Sequence, residues 1–125
     1  MMRALFLLLI PVVAACNTTI TFESEVPGVT VHAMRLTTSH RAYVSPESLL
    51  PGQKSSEVMI LVDDEDRSGR VTFELEKDGR RIALEVESGF KVHGGENNVF
   101  VLSPDTRVRH LLLQDTPMAL WAESR

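Results

Sequence analysis

The chain has 125 residues, with 17 acidic against 13 basic side chains and a formal net charge of −4 at pH 7. Its basic residues are dispersed and only one Trp and one Tyr occur, which argues against a nucleic-acid-binding surface and against a polybasic grip on anionic lipid. A single cysteine excludes a disulfide within the chain, so packing alone must hold the fold.

The first sixteen residues have the pattern of a lipoprotein export signal. Residues 1–3 form a short, positively charged segment, and residues 4–10 are continuously apolar. Val13-Ala14-Ala15-Cys16 matches a lipobox. The apolar segment is too short to cross a hydrocarbon core of about 30 Å. We therefore predict a signal peptide over 1–15 and lipidation at Cys16, with ordinary secretory cleavage after Ala15 as the alternative.

Residues 16–125 are predicted to form one all-β domain, a small antiparallel β-sandwich of about seven to eight strands. Short runs rich in Val, Ile, Thr and Phe alternate with turn residues. The predicted strands are 18–23, 29–37, 57–63, 70–77, 80–87, 98–102 and 107–113. The predicted turns are Pro27-Gly28, Pro51-Gly52, Gly94-Gly95 and Ser103-Pro104.

The strand 29–37 carries His32 and Met34, which are two residues apart and so are expected on one face. Soft ligands of this kind select copper in exported proteins. No other His or Met has a spacing that adds it to the pair. The favoured interpretation is therefore an ordinary strand surface.

The middle of the chain carries two contrasting signals. Segment 42–56 has no clear strand pattern and is expected to be a surface crossover. The run 58–62 is continuously apolar, which predicts a strand that is covered on both faces or central in the sandwich.

An acidic turn follows this run. Asp64, Asp66 and Ser68 alternate as oxygen ligands before Gly69, which is how calcium loops begin. Such a loop closes with a glutamate, and the corresponding residue here is Leu75. A solvated turn is the favoured interpretation, so we predict no metal site and keep these three residues as a weak calcium candidate.

The hairpin 70–87 can be predicted residue by residue. Asp78-Gly79 tolerates positive φ at both central positions of a type I′ turn, and Lys77 then faces Arg80. The pairs on one face are all apolar: Leu75–Ile82, Phe73–Leu84 and Val71–Val86. The other pairs are Glu76–Arg81, Glu74–Ala83, Thr72–Glu85 and, at the far end, Arg70–Glu87. The apolar face fixes the register against slippage.

The tail 116–125 predicts either a closing strand or a short docked helix, with Trp121 in the core. The sequence has no Gly-x-Ser-x-Gly, no phosphate-binding glycine loop and no His-Glu-x-x-His. We therefore predict no catalytic residue, no cofactor and no enzyme activity.

The order of these features resembles the small β-sandwich lipoproteins of the type III secretion pilotin family, also called lipoprotein chaperones. The matching parts are the lipobox, the strand 29–36, the loop 50–53 that leads into 58–62, the turn 77–80, and Gly94-Gly95 followed by 99–102.

This resemblance implies a lipid-anchored protein on the periplasmic face of the bacterial outer membrane. It would bind the C-terminal segment of a secretin subunit and assist its targeting and assembly, using an apolar groove or an open sheet edge. Asn17, after the lipidated cysteine, is compatible with outer-membrane sorting. The alternatives are a ligand- or metal-binding envelope lipoprotein and an accessory lipoprotein of another secretion system.

Overall fold

The computed structural model describes residues 17–61, 68–110 and 116–118, and these residues form an all-β fold. Ten strands lie within them: β1 (Thr18–Ser24), β2 (Thr30–Thr37), β3 (Ala42–Val44), β4 (Val58–Ile60), β5 (Ser68–Lys77), β6 (Arg80–Val86), β7 (Phe90–Lys91), β8 (Asn97–Leu102), β9 (Arg107–Arg109) and β10 (Thr116–Pro117). All seven predicted strands are present. The additional strands β3 and β7 are only three and two residues long, which is too short to leave a periodic pattern in the sequence. β10 lies at the start of the tail 116–125, for which a closing strand or a short docked helix is predicted, and residues 119–125 of that tail lie outside the described residues.

The strands form two sheets, as expected of a sandwich. The small sheet has the order β4-β1-β8, and the large sheet has the order β10-β9-β6-β5-β2-β3, with β7 also paired to β5. β1 and β8 run parallel, so the prediction of a purely antiparallel sandwich is wrong for this pair. The chain builds most of the large sheet between these two strands, and it returns to the end at which β1 begins.

One apolar core lies between the two sheets. The small sheet contributes Ile20, Phe22, Ile60, Phe100 and Leu102, and the large sheet contributes Val31, Met34, Leu36, Val71, Phe73, Leu75, Leu84, Val86 and Val108. Met118, which follows β10, is also fully buried in this core, and its N–H donates to the Thr106 carbonyl. Trp121, predicted for the same core, lies outside the described residues.

The β5–β6 hairpin confirms the predicted register from the turn as far as Thr72–Glu85. Asp78 and Gly79 both have positive φ, 54° and 76°, as a type I′ turn requires. The last two predicted pairs, Val71–Val86 and Arg70–Glu87, are wrong. The β5–β6 ladder ends at Thr72–Glu85, while the opposite edge of β6 pairs with β9 through Glu85–Arg109 and Val86–Val108.

A bulge explains this departure. The partner of Thr72 is Glu85 and the partner of Gly69 is Phe90, so three steps along β5 face five steps along β6 and β7. The extra residues redirect the charges at the far end. Arg70 now pairs with Glu85 at 2.6 Å, and Glu87 pairs with Arg107 at 3.1 Å.

Segment 42–56 crosses from the large sheet to the small one and is more than a surface crossover. β3 pairs with β2, and isolated bridges then join Leu49 to Val31 and Lys54 to Glu23. Leu49 is 1% exposed and belongs to the core. The segment therefore closes one side of the sandwich.

The prediction that 58–62 forms a covered or central strand is wrong. β4 lies at an edge of the small sheet, and Met59 and Leu61 are 58% and 57% exposed. Only Ile60 of these three side chains reaches the core. Val62 lies outside the described residues.

Candidate functional site

Three of the predicted site residues, Cys16, Asp64 and Asp66, lie outside the described residues. Ser68, the third residue of the weak calcium candidate, begins β5 and pairs with Lys91 of β7. Across residues 17–61, 68–110 and 116–118, no three His, Cys, Asp or Glu side chains are grouped closely enough to hold a metal ion.

The prediction that His32 and Met34 share a face is wrong. A bulge in β2 shifts the register between His32 and Arg35, and Ala33 takes a left-handed φ of 52°. Met34 is turned into the core, with 1% exposure. His32 lies instead between Ser48 and Glu76, at 2.6 Å from Nδ1 and 2.5 Å from Nε2, so the structure separates the two proposed copper ligands.

The open edge of β8 is the candidate site. Within the described residues β8 pairs only with β1. The Thr19 N–H donates to the Glu96 carbonyl and the Glu25 N–H to the Leu102 carbonyl, so the backbone groups of the even-numbered residues face β1. Backbone direction alternates along a strand. The N–H and C=O groups of Asn97, Val99 and Val101 therefore point to the open edge.

A depression of about 280 Å³ lies beside this edge. It is lined by residues of β7, β8 and the loop between them: Phe90, Lys91, His93, Glu96, Asn97, Asn98 and Val99. Phe90 stacks edge-on against Phe100 at 5.8 Å between ring centroids, which fixes the apolar wall. Val99 is 46% exposed, so a strand beside β8 would meet apolar side chains on both of its faces.

Asn98 holds the edge in place. This buried side chain accepts the His93 N–H at 2.8 Å and donates to the carbonyls of His93 and Thr19 at 3.0 and 3.1 Å. These bonds tie the 92–96 loop to both β8 and β1. Thr18 adds a further link, because its hydroxyl accepts the Gly95 N–H at 2.8 Å.

The other edge of the small sheet differs from β8. The Leu61 N–H donates to the Tyr43 hydroxyl at 3.2 Å, and the same hydroxyl donates to the Leu61 carbonyl at 3.3 Å. One side chain thus satisfies the edge groups of the residue that follows β4. This edge is also shorter, at three residues against six for β8.

A second depression lies on the outer face of the large sheet. Small residues of neighbouring strands, Ala33, Thr72 and Ala83, form its floor. Its rim is charged, and Glu85 on that rim pairs with both Arg70 and Arg109. These ion pairs contribute little free energy on an exposed surface, and they satisfy the acidic side of the rim.

The sequence carries one signal for the β8 strand but none for its position at an edge. Val99-Phe100-Val101-Leu102 is a continuous apolar run. Such a run on an edge strand leaves apolar side chains exposed, whereas on a central strand it is buried on both faces. The hydrophobic period and the composition of the run are the same for an edge strand and for a central strand, so the sequence alone does not distinguish them.

No family model, no curated protein and no solved structure matches this chain. No helix in the described part of the chain is long and apolar enough to span a bilayer.

Proposed function

We propose that this protein is an outer-membrane lipoprotein of pilotin type, which binds the C-terminal segment of a secretin subunit and assists its assembly in a type III secretion system. The observation that carries the proposal is the open β8 edge, with exposed Val99 on it and Phe90 in the largely polar depression beside it, in a chain whose residues 13–16 match a lipobox. The lipid on Cys16 fixes the protein to the membrane, and the β8 edge binds the cargo.

The binding mode follows from the backbone. An extended segment that lies beside β8 can bond to the N–H and C=O groups of Asn97, Val99 and Val101, which makes it a fourth strand of the small sheet. Each such hydrogen bond contributes about 0.5–1.5 kcal/mol net. Apolar side chains on the segment would pack against Phe90 on one face and Val99 on the other.

The test is co-purification from detergent-solubilised membranes, with a C-terminal tag on the full, lipidated chain. We expect specific recovery of a secretin subunit, and loss of that recovery when the C-terminal segment of the secretin is deleted. Recovery of the intact lipoprotein without secretin, from cells that express the secretin, would contradict the proposal.

Two proline variants test the edge itself. Val99→Pro removes an N–H that points to the open edge and places a ring in the path of an added strand. Val44→Pro makes the same change on β3, an edge strand of the large sheet, where Val44 is 42% exposed. We expect Val99→Pro to lower secretin recovery at least about tenfold, equivalent to about 1.4 kcal/mol, and Val44→Pro to leave it unchanged. Equal effects of the two variants would place the binding site elsewhere.

A further inference from the structure

The exposed apolar side chains of Met59 and Leu61 lie at the end of the small sheet at which β1 begins, next to the predicted lipid attachment point Cys16 in sequence. Only Asn17 separates Cys16 from Thr18, the first residue of β1. Two Cα–Cα steps span at most about 7 Å. A lipid on Cys16 therefore leaves the first residue of β1 within a side chain's length of the bilayer surface, with no flexible linker between them.

The register of β4 places the two apolar side chains at this same end. Thr18 lies opposite Ile60 and Thr19 opposite Met59, so Leu61, one step further, lies level with Asn17. Met59 and Leu61 are two residues apart and point to the same face. Both side chains are more than half exposed, at 58% and 57%.

The position of Leu61 is also fixed. The Tyr43 hydroxyl bonds to both backbone groups of Leu61, so the side chain is presented by a held backbone. Exposed apolar residues grouped in this way commonly mark an interaction surface. The short spacer to Cys16 selects the partner, because the nearest apolar phase is the bilayer itself.

We propose that Met59 and Leu61 insert into the membrane interface and hold the domain in one orientation on the bilayer. This proposal rests on lipidation of Cys16 and is independent of secretin binding. Acyl chains and an apolar protein surface then act together, in the way that stable membrane attachment generally combines two signals.

The test uses the full, lipidated chain with a single added cysteine. Cys16 is the only native cysteine, and its sulfur is blocked by the lipid, so a thiol-reactive fluorophore labels the added residue alone. The test variants are Met59→Cys and Leu61→Cys. The matched control is Leu50→Cys, at a side chain of similar exposure, 51%. Its neighbour Gly52 donates to the Ser24 carbonyl, so Leu50 lies at the opposite end of β1, about 20 Å from Thr18.

Each labelled protein is reconstituted into vesicles of phosphatidylcholine and phosphatidylethanolamine that contain a nitroxide-labelled lipid as quencher. We expect the probes at 59 and 61 to be quenched at least about threefold more than the probe at 50, because only an inserted probe lies within contact range of the nitroxide. Intact-mass measurement of the same samples verifies the lipid on Cys16.

Equal quenching at all three positions, or none at 59 and 61, would overturn the proposal. So would an unmodified Cys16, since the short spacer then leads to no membrane. If the probes at 59 and 61 were shielded from the quencher only when secretin is added, this surface would bind protein and not lipid, which would also overturn the proposal. Failure to capture secretin, by contrast, would leave the quenching result intact and count only against the proposed function.

Discussion

Ala33 is a non-glycine residue in the left-handed region, with φ of 52°, in the bulge that separates His32 from Met34. An L-residue pays roughly 1–2 kcal/mol for this conformation, whereas glycine adopts it freely. Glycine loses more backbone entropy on folding, by roughly 0.5–1 kcal/mol. We therefore expect Ala33→Gly to raise the free energy of unfolding by roughly 0.5–1 kcal/mol.

Urea unfolding of the mature protein measures this change. The control is Ala83→Gly, in the regular part of β6, which we expect to lower the free energy of unfolding by roughly 0.5–1 kcal/mol. Two losses of equal size would show that Ala33 is not strained.

Gly69 of β5 lies against the end of β2. A Cβ at this position would lie 2.5 Å from the Thr37 carbonyl oxygen and 2.9 Å from Leu36 Cδ1. Backbone must move to relieve such a contact, so we expect Gly69→Ala to destabilise the fold by about 1–3 kcal/mol. At Gly89 the nearest atom would be 3.6 Å away, an ordinary contact. Thermal unfolding should therefore give Gly89→Ala a melting temperature close to that of the wild type, and a comparable drop in both variants would contradict the argument.

At the scale of elements, Asn98 joins the 92–96 loop to β1 and β8. Asn98→Ala would leave the His93 N–H and the carbonyls of His93, Thr19 and Glu96 without these partners, at a cost of about 1–3 kcal/mol. The neighbouring Asn97 is exposed, and its amide donates to the hydroxyls of Thr19 and Thr21. Denaturant unfolding should show Asn97→Ala to be nearly neutral, within about 0.5 kcal/mol. A larger loss of free energy of unfolding in Asn97→Ala than in Asn98→Ala would refute the structural role of Asn98.

The strands of this fold were predictable because their signals are local. Alternation and turn residues define the β5–β6 hairpin, and its register is confirmed as far as Thr72–Glu85. The neighbours of each strand were not predictable in this way. That β8 joins β1 in parallel and that β4 lies at an edge depend on contacts between residues far apart in the sequence.

Candidate sites were less predictable than strands. The copper interpretation assumed a regular β2, and the bulge at Ala33 has no glycine to announce it. The interpretation of 58–62 as a covered strand assumed that apolar side chains are buried. That assumption fails where apolar residues serve an exposed surface, as at Met59 and Leu61.

At the scale of the whole molecule, the effect of the short spacer after Cys16 can be tested without altering either proposed surface, the β8 edge or the side chains of Met59 and Leu61. Insertion of twelve Gly and Ser residues between Asn17 and Thr18 would give the domain a mean reach of roughly 20 Å from its lipid. We expect nitroxide quenching of probes at 59 and 61 to fall to half or less, because the local concentration of the apolar face at the bilayer drops. Secretin recovery should stay the same, since β8 is unaltered. Unchanged quenching would mean that the spacer length does not orient the domain.

The parallel pairing of β1 and β8 gives the molecule a direction. Asn97 lies level with Thr19, so both strands start at the end of the domain nearest Cys16 in sequence. If Cys16 carries a lipid, as proposed, both strands begin at the bilayer side of the domain. A cargo strand that pairs with β8 in the antiparallel sense has its carboxyl end beside the start of β8, on the side of the domain nearest the membrane. A cargo strand that pairs in the parallel sense has its carboxyl end beside the end of β8, on the side that faces the periplasm. The orientation of one added strand would thus decide which end of the cargo is delivered to the lipid.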